Sequence, residues 1–555
     1  MKQHMNKPLI TLLFVSVMVA SCSNSLNEII DIPIPQEAIK ERVSTEYSFS
    51  EGPTILGKEI SIPYSIDNLR AAFDLLPPKT KSGHSKEDIQ PTHYYVKFFP
   101  TDGAQLDLLR NTPGLILSEV PLDREIIVGG IYYHDPELPL SQPTYQYSTL
   151  EIDYWQSFLD TISVDYEVLI EAYMPEEITS TRSISERRLL PNSFFSSLLK
   201  ESYRITENEY DLYPETKGSN WVPTGRIRAY DNIVAGYVPV QNVVIRGTHF
   251  LTIKETTTDA YGYFALPMFN GSVNLKIIWE GSQWDVRYGN YDQAVYEGPK
   301  LSSGTWFFDI LPTLTGTLNL SAVFRATRRV YMGFNYGFSR PNYNRRLKIA
   351  YIHDTLDNNN TGEYIHNGSL GIGPDIRIAG KDSDDNWRQP SLIFSTTCHE
   401  LGHAAHDTNA SSIYESSELR VKESWAVFHQ YLCTIKEYTD LGFDSNLWTY
   451  TPTGLIQPDV TYNFQYFDPE EPLLQTYTSL FVDIYDTYNQ HDFCSSFIND
   501  EISGFYVPSL EGVVFGKTTF AEIKQHFLNL VNTTGYEFGI TEVSVNELFS
   551  IYDGF

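Results

Sequence analysis

Two histidines and a glutamate at close spacing are the residues of this chain best suited to chemistry. His399, Glu400 and His403 form an H-E-x-x-H pattern. On an α-helix, residues four apart lie about 6 Å apart along the axis and about 40° apart around it. The two imidazoles would therefore face one point, as two nitrogen ligands of a tetrahedral Zn²⁺ must. Glu400 would reach a metal-activated water and act as its general base.

The helices that must position these residues are predicted from the flanking sequence. Pro390 suits the first turn of a helix, and no further proline occurs from Ser391 to Asp407. A second helix is predicted from about Ser416 to Tyr438, because apolar side chains recur there at helical spacing. A short loop at about Thr408–Glu415 would let the two helices pack antiparallel.

A third protein ligand is required, and four residues are candidates. Glu423 comes twenty residues after the second histidine of the pattern, and antiparallel helices would bring its carboxylate to the histidine pair. His406 shares a helix face with His399 but lies about 10 Å from it along the axis, so we expect it beside the site or simply packed. Glu415 and Glu418 would fall near the start of the second helix. We favour Glu423, and the sequence leaves the others open.

The H-E-x-x-H pattern with Glu423 resembles the gluzincin zinc peptidases, whose ligand set is His₂Glu. The segment Glu423-Ser424-Trp425-Ala426 is similar to the Glu-Gly-Phe/Trp-Ala segment that many of them carry around the third ligand. The resemblance covers about residues 340–500. It implies a zinc metallopeptidase that hydrolyses peptide bonds, with His399 and His403 as the other metal ligands.

Three positions depart from related patterns. In thermolysin-like enzymes, an Asp four residues after the third ligand orients a zinc histidine, whereas Val427 stands here. Metzincins require a Gly and a last His at the positions of His406 and Asn409, so that clan is excluded.

Further parts of a peptide-cleaving site are expected. A Tyr or His should stabilise the oxyanion, and Tyr462, Tyr477 and His429 are candidates among which the sequence does not choose. In gluzincin-like folds the strand before the zinc helix is a sheet edge along which an extended substrate adds. We place that strand at Asp375–Ala379.

The N-terminus has the features of a lipoprotein signal peptide at residues 1–21. After a basic start, the apolar run from Leu9 to Ala20 is too short to cross a membrane as a mature helix. Val19-Ala20-Ser21 before Cys22 resembles a bacterial lipobox, which implies cleavage before Cys22 and lipidation of its thiol. We therefore expect a lipid-anchored protein of the bacterial cell envelope, at the outer membrane, with residues 22–44 as a tether.

The remaining cysteines predict no disulfide framework. Cys398, Cys433 and Cys494 are odd in number and widely separated. Cys398 precedes a zinc ligand, but the helix turns it off the ligand face by about 100°, so we do not count it as a ligand.

The chain is predicted to be a multidomain α+β protein whose first domain, at 45–180, is a small α/β domain. A strand at His93–Pro100 is followed by a short helix at Ala104–Arg110 and by strands at Leu115–Leu117 and Glu125–Val128.

A connector at 181–220 and a β-sandwich at 221–285 are expected next. Short alternating strands separated by turn residues indicate the sandwich. Its segment Thr258-Asp259-Ala260-Tyr261-Gly262-Tyr263-Phe264 is similar to the end of the carboxypeptidase regulatory-like, transthyretin-like module. That resemblance implies architecture and no chemistry.

The C-terminal region, 300–555, is predicted to be a gluzincin-like, zincin-type α+β peptidase domain. Leu347–Ile352 should be a strand, and apolar spacing predicts helices at Glu471–Gln490 and Phe520–Val531.

An acidic loop at Asp354–Glu363 is a weak candidate for Ca²⁺. Asp357, Asn359 and Gly362 fall at EF-hand-like positions, but Gly368 stands where that motif needs a bidentate Glu. We favour a hydrated hairpin tip there and in the cluster of Asp382, Asp384 and Asp385.

The charge balance of the chain limits the classes of partner that it can bind. The 555 residues carry 40 Lys and Arg against 70 Asp and Glu, a formal charge of −30, which argues against nucleic acid. The sequence thus predicts a membrane-anchored zinc peptidase whose partners are a protein or peptide substrate and the lipid bilayer. The alternative is a surface adhesin or a glycan- or protein-binding lipoprotein with a structural metal or none. The two differ in whether Glu400 borders an open coordination position.

Overall fold

The structure is a computed structural model. It describes residues 48–178, 189–208, 221–333, 335–357, 360–366, 373–442, 449–451, 454–457, 460–462, 476–487, 501–534 and 540–552. The expected signal peptide, the lipidation site at Cys22 and the tether lie outside the described residues, as does half of the connector at 181–220. None of the described helices combines the length and apolar content needed to cross a bilayer.

The N-terminal region contains two small sheets and a helical layer. One sheet has the order β1-β4-β2 and the other β5-β3-β6, with β3 antiparallel to both neighbours. The elements are β1 (Ser48–Phe49), β2 (Ile55–Glu59), α1 (Ile66–Leu75), α2 (Pro78–Lys81), β3 (His93–Phe98), α3 (Gly103–Arg110), β4 (Arg124–Gly129), β5 (Gln146–Glu151), α4 (Ile152–Leu159), β6 (Tyr166–Ala172) and α5 (Asn192–Ile205).

Two expectations for this region need correction. Leu115–Leu117 is not a strand, and only the next residue, Ser118, makes an isolated bridge, to Tyr147 on β5. Helix α5 lies beyond residue 180 but buries Phe194 and Leu198 in a core shared with α1. The region therefore continues to about residue 205.

A pair of sheets, here called the sandwich, lies in the region of the predicted β-sandwich, and its strands continue past residue 285. Its sheets have the orders β10-β9-β12-β15 and β11-β7-β16, with β8 paired to β7. The strands are β7 (Thr224–Asp231), β8 (Gly236–Pro239), β9 (Val244–His249), β10 (Thr252–Thr257), β11 (Tyr263–Ala265), β12 (Val273–Ile278), β13 (Trp284–Tyr288), β14 (Asp292–Gln293), β15 (Val295–Leu301) and β16 (Thr305–Ile310).

The turn before β11 has the chemistry that the sequence suggested. Asp259 Oδ1 accepts hydrogen bonds from the backbone amides of Tyr261 and Tyr263 at 2.8 and 2.9 Å. Gly262 has a φ of +81°, a conformation that favours glycine. The turn delivers Phe264, which is 6% exposed, into the core.

A mixed sheet with the order β14-β13-β17-β19-β18 lies under the helices. It adds β17 (Leu347–Ile352), β18 (Gly362–Tyr364) and β19 (Ile376–Ala379), with β13, β17 and β19 parallel and β18 antiparallel. Because β13 and β14 belong to this sheet, while β15 and β16 return to the sandwich before β17, the chain crosses between the two three times. One continuous hydrophobic core spans both, so no clean boundary falls between 285 and 300.

The predicted substrate edge at Asp375–Ala379 is wrong. Strand β19 is covered on one side by β17 and on the other by β18, with Glu363 opposite Arg377. Within the described residues, β18 is the strand at that end of the sheet. A three-residue strand after the acidic loop carries little periodicity, which is why the sequence did not reveal it.

Helices form the C-terminal layer. They are α6 (Thr315–Met332), α7 (Pro390–Ser416), α8 (Leu419–Asp440), α9 (Leu480–Tyr485), α10 (Val507–Val514), α11 (Phe520–Thr534) and α12 (Glu542–Tyr552), with a small sheet of β20 (Thr449–Thr451), β21 (Gly454–Gln457) and β22 (Val460–Tyr462). Buried Arg325 of α6 binds Asp231 of the sandwich and Glu437 of α8, each at 3.0 Å. This paired charge ties the sandwich to the helices.

Candidate metal centre

Helix α7 carries both histidines of the H-E-x-x-H pattern. Pro390 occupies its first turn, where a missing amide proton costs no hydrogen bond. The helix runs further than predicted, and most of the expected loop at Thr408–Glu415 is helical. Ala410 departs from helical geometry, with φ −146° and ψ 50°, so the helix is kinked there. After the kink, Tyr414 lies against the ring of His403.

Helix α8 packs closely on α7 and presents Glu423 from its second turn. Trp425, Phe428 and Leu432 are buried against the core, as their spacing predicted. Gly402 makes the close approach possible. A Cβ at that position would meet the Cβ of His429 at 3.0 Å.

Three potential ligand atoms converge between these helices. Glu423 Oε2 lies 3.2 Å from Nε2 of His399 and 3.2 Å from Nε2 of His403, and the two nitrogens are 3.2 Å apart. Two ligands bound at about 2.0–2.1 Å to one tetrahedral ion lie roughly 3.3 Å apart. The donor set and its spacing therefore fit Zn²⁺. Among the described residues, this is the one group of three or more His, Cys, Asp or Glu residues whose ligand atoms lie within 4.8 Å of one another.

The other candidates for the third ligand lie elsewhere. His406 is fully buried, stacked on Phe515 with ring centroids 5.0 Å apart, in the packing role considered from the sequence. The side chain of Glu415 is 57% exposed and bonds His366 at 3.1 Å. Glu418 pairs with Arg420 at 3.4 Å.

Burial and charge set the ionisation of the two glutamates. Burial opposes ionisation of Glu423, but the two imidazoles outweigh it and lower the pKa of its carboxyl. Burial, together with the charges of Glu423 and Glu363, raises the pKa of Glu400 to about 7 against the opposing effect of His399. A carboxyl with a pKa near neutrality is suited to general-base work at neutral pH.

Strand β18 holds Glu400 in place. A Cβ on Gly362 would lie 2.8 Å from Glu400 Oε1, so glycine allows the strand to approach the carboxylate. The backbone amide of Tyr364 stabilises the ionised carboxylate and partly offsets the rise in its pKa.

A polar cluster beside the histidines escaped the sequence analysis. The hydroxyl of Tyr364 donates to Asp407 Oδ2 at 2.6 Å, and His366 Nδ1 lies 2.5 Å from the same oxygen. Tyr414 Oη lies 3.4 Å from Nδ1 of His403. These residues come from β18, from the segment just after it and from α7, and they have no common spacing. The one hint was that Asp407 follows His403 by one helical turn.

The three candidates for oxyanion stabilisation differ in whether their side chains line the cleft. Tyr477 lines the cleft beside His399, with ring centroids 6.0 Å apart, and burial with two nearby carboxylates raises its pKa to about 12. His429 is buried, and its Nδ1 donates to the carbonyl of Cys398 at 2.7 Å, so it does not face the cleft. The side chain of Tyr462 lies outside what the structure describes.

A cleft of about 430 Å³ opens onto the three converging atoms. Gly362 and Tyr364 of β18 line one wall, and Tyr414, Lys422 and Tyr477 line others. Glu400 lies on this cleft, between the His pair and β18.

Over its described residues, the loop at Asp354–Glu363 departs from the EF-hand-like arrangement considered from the sequence. Gly362 belongs to strand β18, and Asn359 lies outside the described part of the chain. Asp382 Oδ1 accepts from the backbone amides of Asp384 and Asn386, and Asp385 pairs with Lys381 at 2.7 Å. These bonds close a turn around Asp382.

Neither cysteine of the described ranges adds a ligand. Cys398 and Cys433 are free and buried. Cys398 points away from the histidine pair, and burial raises the pKa of its thiol well above the usual range.

Comparisons with known proteins find no family model and no curated protein that matches this chain. Fold and site together therefore define a multidomain α+β protein with several sheets and a C-terminal helical region that carries a His₂Glu group able to hold a metal ion.

Proposed function

We propose that this chain is a membrane-anchored zinc peptidase of gluzincin type. The observation that carries the proposal is the convergence of His399, His403 and Glu423 within 3.2 Å of one another, with Glu400 beside them on an open cleft. A structural zinc site is closed by four protein ligands, whereas a catalytic site has three and keeps one position open. Three ligands facing a cleft favour catalysis over a purely structural metal.

The proposed reaction uses side chains already in position. Bound zinc would lower the pKa of a water molecule and polarise the scissile carbonyl. Glu400 would accept the proton of the attacking water and pass it to the leaving amine. Tyr477 is the described residue best located to donate a hydrogen bond to the developing oxyanion.

The substrate would be an extended segment of a protein or peptide. The substrate would add to β18 and not to Asp375–Ala379, because β18 lies at the end of the sheet among the described strands and also lines the cleft. Adding a peptide strand there would hold its backbone without demanding a particular sequence.

The proposed location rests on the N-terminal sequence. Lipidation at Cys22 would hold the protein in the bacterial cell envelope, at the outer membrane. The net charge of −30 argues against a nucleic-acid partner. Radiolabelled palmitate incorporation that is lost in Cys22→Ser would test the anchor.

One assay of the purified full chain tests the enzymatic proposal. We expect about one zinc per chain by elemental analysis and cleavage of an unfolded protein substrate. Chelation should abolish the cleavage, and added Zn²⁺ should restore it. Glu400→Gln should retain zinc but lose about 10²-fold to 10⁴-fold in turnover. Zinc without cleavage in either protein would instead support the adhesin or binding lipoprotein.

A further inference from the structure

One positive charge in the cleft is not neutralised by the residues around it. Lys422 is the single lysine or arginine among the described residues that line the cleft. Its Nζ lies 4.8 Å from the ring centroid of Tyr414, and no carboxylate within the described ranges forms an ion pair with it. An aromatic ring holds an ammonium group in place without removing its charge.

Four glutamates line the same cleft, and Glu400, beside the His pair, accepts a hydrogen bond from the backbone amide of Tyr364. Glu363 Oε1 accepts from Arg377 at 2.9 Å, and Glu415 Oε1 lies 3.1 Å from His366 Nε2. Glu423 faces the two imidazoles. Lys422 is therefore the one Lys or Arg side chain of the described cleft lining that is available to an incoming anion, although the protein as a whole carries −30.

Lys422 lines the same cleft as the three candidate metal ligands. Tyr414, over whose ring the ammonium lies, has its hydroxyl 3.4 Å from Nδ1 of His403. Lys422 immediately precedes Glu423 on α8. An anionic group bound there would lie within one or two residues of a peptide's reacting bond.

We propose that Lys422 binds a carboxylate of the substrate and gives the site a preference for acidic peptides. The carboxylate is either an Asp or Glu side chain near the scissile bond or the C-terminal carboxylate, since both offer the same anion. This inference rests on the proposed peptidase function. A lysine on a flexible stem acts as a point charge and suits either source.

The test uses N-acetylated heptapeptides of alanine and leucine with zinc-loaded full-length protein. One residue is Glu or Gln, moved along the peptide, and the C terminus is a free acid or an amide. We expect about tenfold higher kcat/KM for the preferred carboxylate form, falling to near equality in Lys422→Met. Lys422→Arg should keep the preference and Lys422→Glu should reverse it. Lys436→Met, a charge removal farther along α8, is the control.

The outcomes distinguish a side-chain carboxylate from a C-terminal one. They also distinguish failure of the Lys422 inference from failure of the peptidase proposal. Loss of discrimination only between acid and amide termini identifies the terminal carboxylate, and loss only for the Glu and Gln pairs identifies the side chain. Equal discrimination in wild type and Lys422→Met overturns the inference while leaving the peptidase intact. If no peptide is cleaved, the inference about Lys422 is tested by calorimetric binding of the same peptides to the zinc-loaded Glu400→Gln protein. Binding that favours acids only when Lys422 is present supports the inference, and indifferent binding overturns it.

Discussion

The hydroxyl of Tyr414 lies 3.4 Å from Nδ1 of His403, on the opposite side of the imidazole from Glu423. With Nε2 bound to a metal, the neutral ring carries its proton on Nδ1, so His403 donates and the Tyr414 oxygen accepts. Val427, four residues after Glu423, offers no side-chain acceptor to this histidine. The kink of α7 supplies a tyrosine instead.

Tyr414→Phe should therefore weaken zinc binding without removing the site. Removing a hydrogen-bond partner of a metal-binding histidine lowers metal affinity by about 10-fold to 100-fold. Competition with a chromophoric chelator would measure the change. Tyr506→Phe, at a tyrosine that is 61% exposed, should leave the affinity unaltered. Equal affinity in both variants and wild type would mean that Tyr414 only packs against the ring.

The identity of the third ligand can be decided by metal content alone. Glu423→Gln should lose most of the bound zinc, because a neutral amide replaces the one carboxylate within 3.2 Å of both imidazoles. Glu415→Gln and Glu418→Gln are matched controls and should retain it, since both side chains lie outside the group. Full zinc occupancy of Glu423→Gln would exclude the His₂Glu assignment.

Gly362→Ala should lower activity while leaving the metal in place. The added Cβ would lie 2.7 Å from Cγ2 of Thr396 and 2.8 Å from Glu400 Oε1, so either β18 or the glutamate must move. A displacement of about 1 Å at a catalytic group can cost about 100-fold in rate. Gly512→Ala is the control, since nothing lies within 4 Å of its Cβ position. Unchanged turnover in Gly362→Ala would show that Glu400 needs no fixed position.

Acid should destabilise the zinc-free protein through His406. Burial, assisted by His403 and Lys422, lowers the pKa of this ring to about 3. The unfolded chain, with a pKa near 6.5, then binds more protons between these values, and the free energy of unfolding falls by about 1.4 kcal/mol per pH unit as the pH drops. The stabilising effect of the neutral ring is complete above about pH 6.5 and is lost below it.

His406→Phe keeps the stacking on Phe515 and removes the titrating group. Its thermal midpoint should therefore fall less than that of wild type between pH 7 and pH 4.5. His84→Phe, at a half-buried histidine stacked on Phe194, should fall as wild type does. Parallel curves for wild type and His406→Phe would mean that the ring does not control acid stability.

The sequence by itself determined the parts of the site that are local. His399 and His403 face one point because 3.6 residues per turn brings positions four apart onto one face, whatever the rest of the chain does. The sandwich hairpin at Asp259 was likewise readable, since an Asp–Gly turn is made by neighbouring residues.

Only the tertiary structure decided what depends on packing between distant segments. The choice of Glu423 over His406 followed from how closely α8 approaches α7 at Gly402. Strand β18, and not β19, lies at that end of the sheet among the described strands. A kink in α7, which the apolar periodicity does not predict, brings Tyr414 to His403. Helical spacing fixes directions within one element. Contacts between elements depend instead on packing free energy summed over many residues, which no short pattern contains.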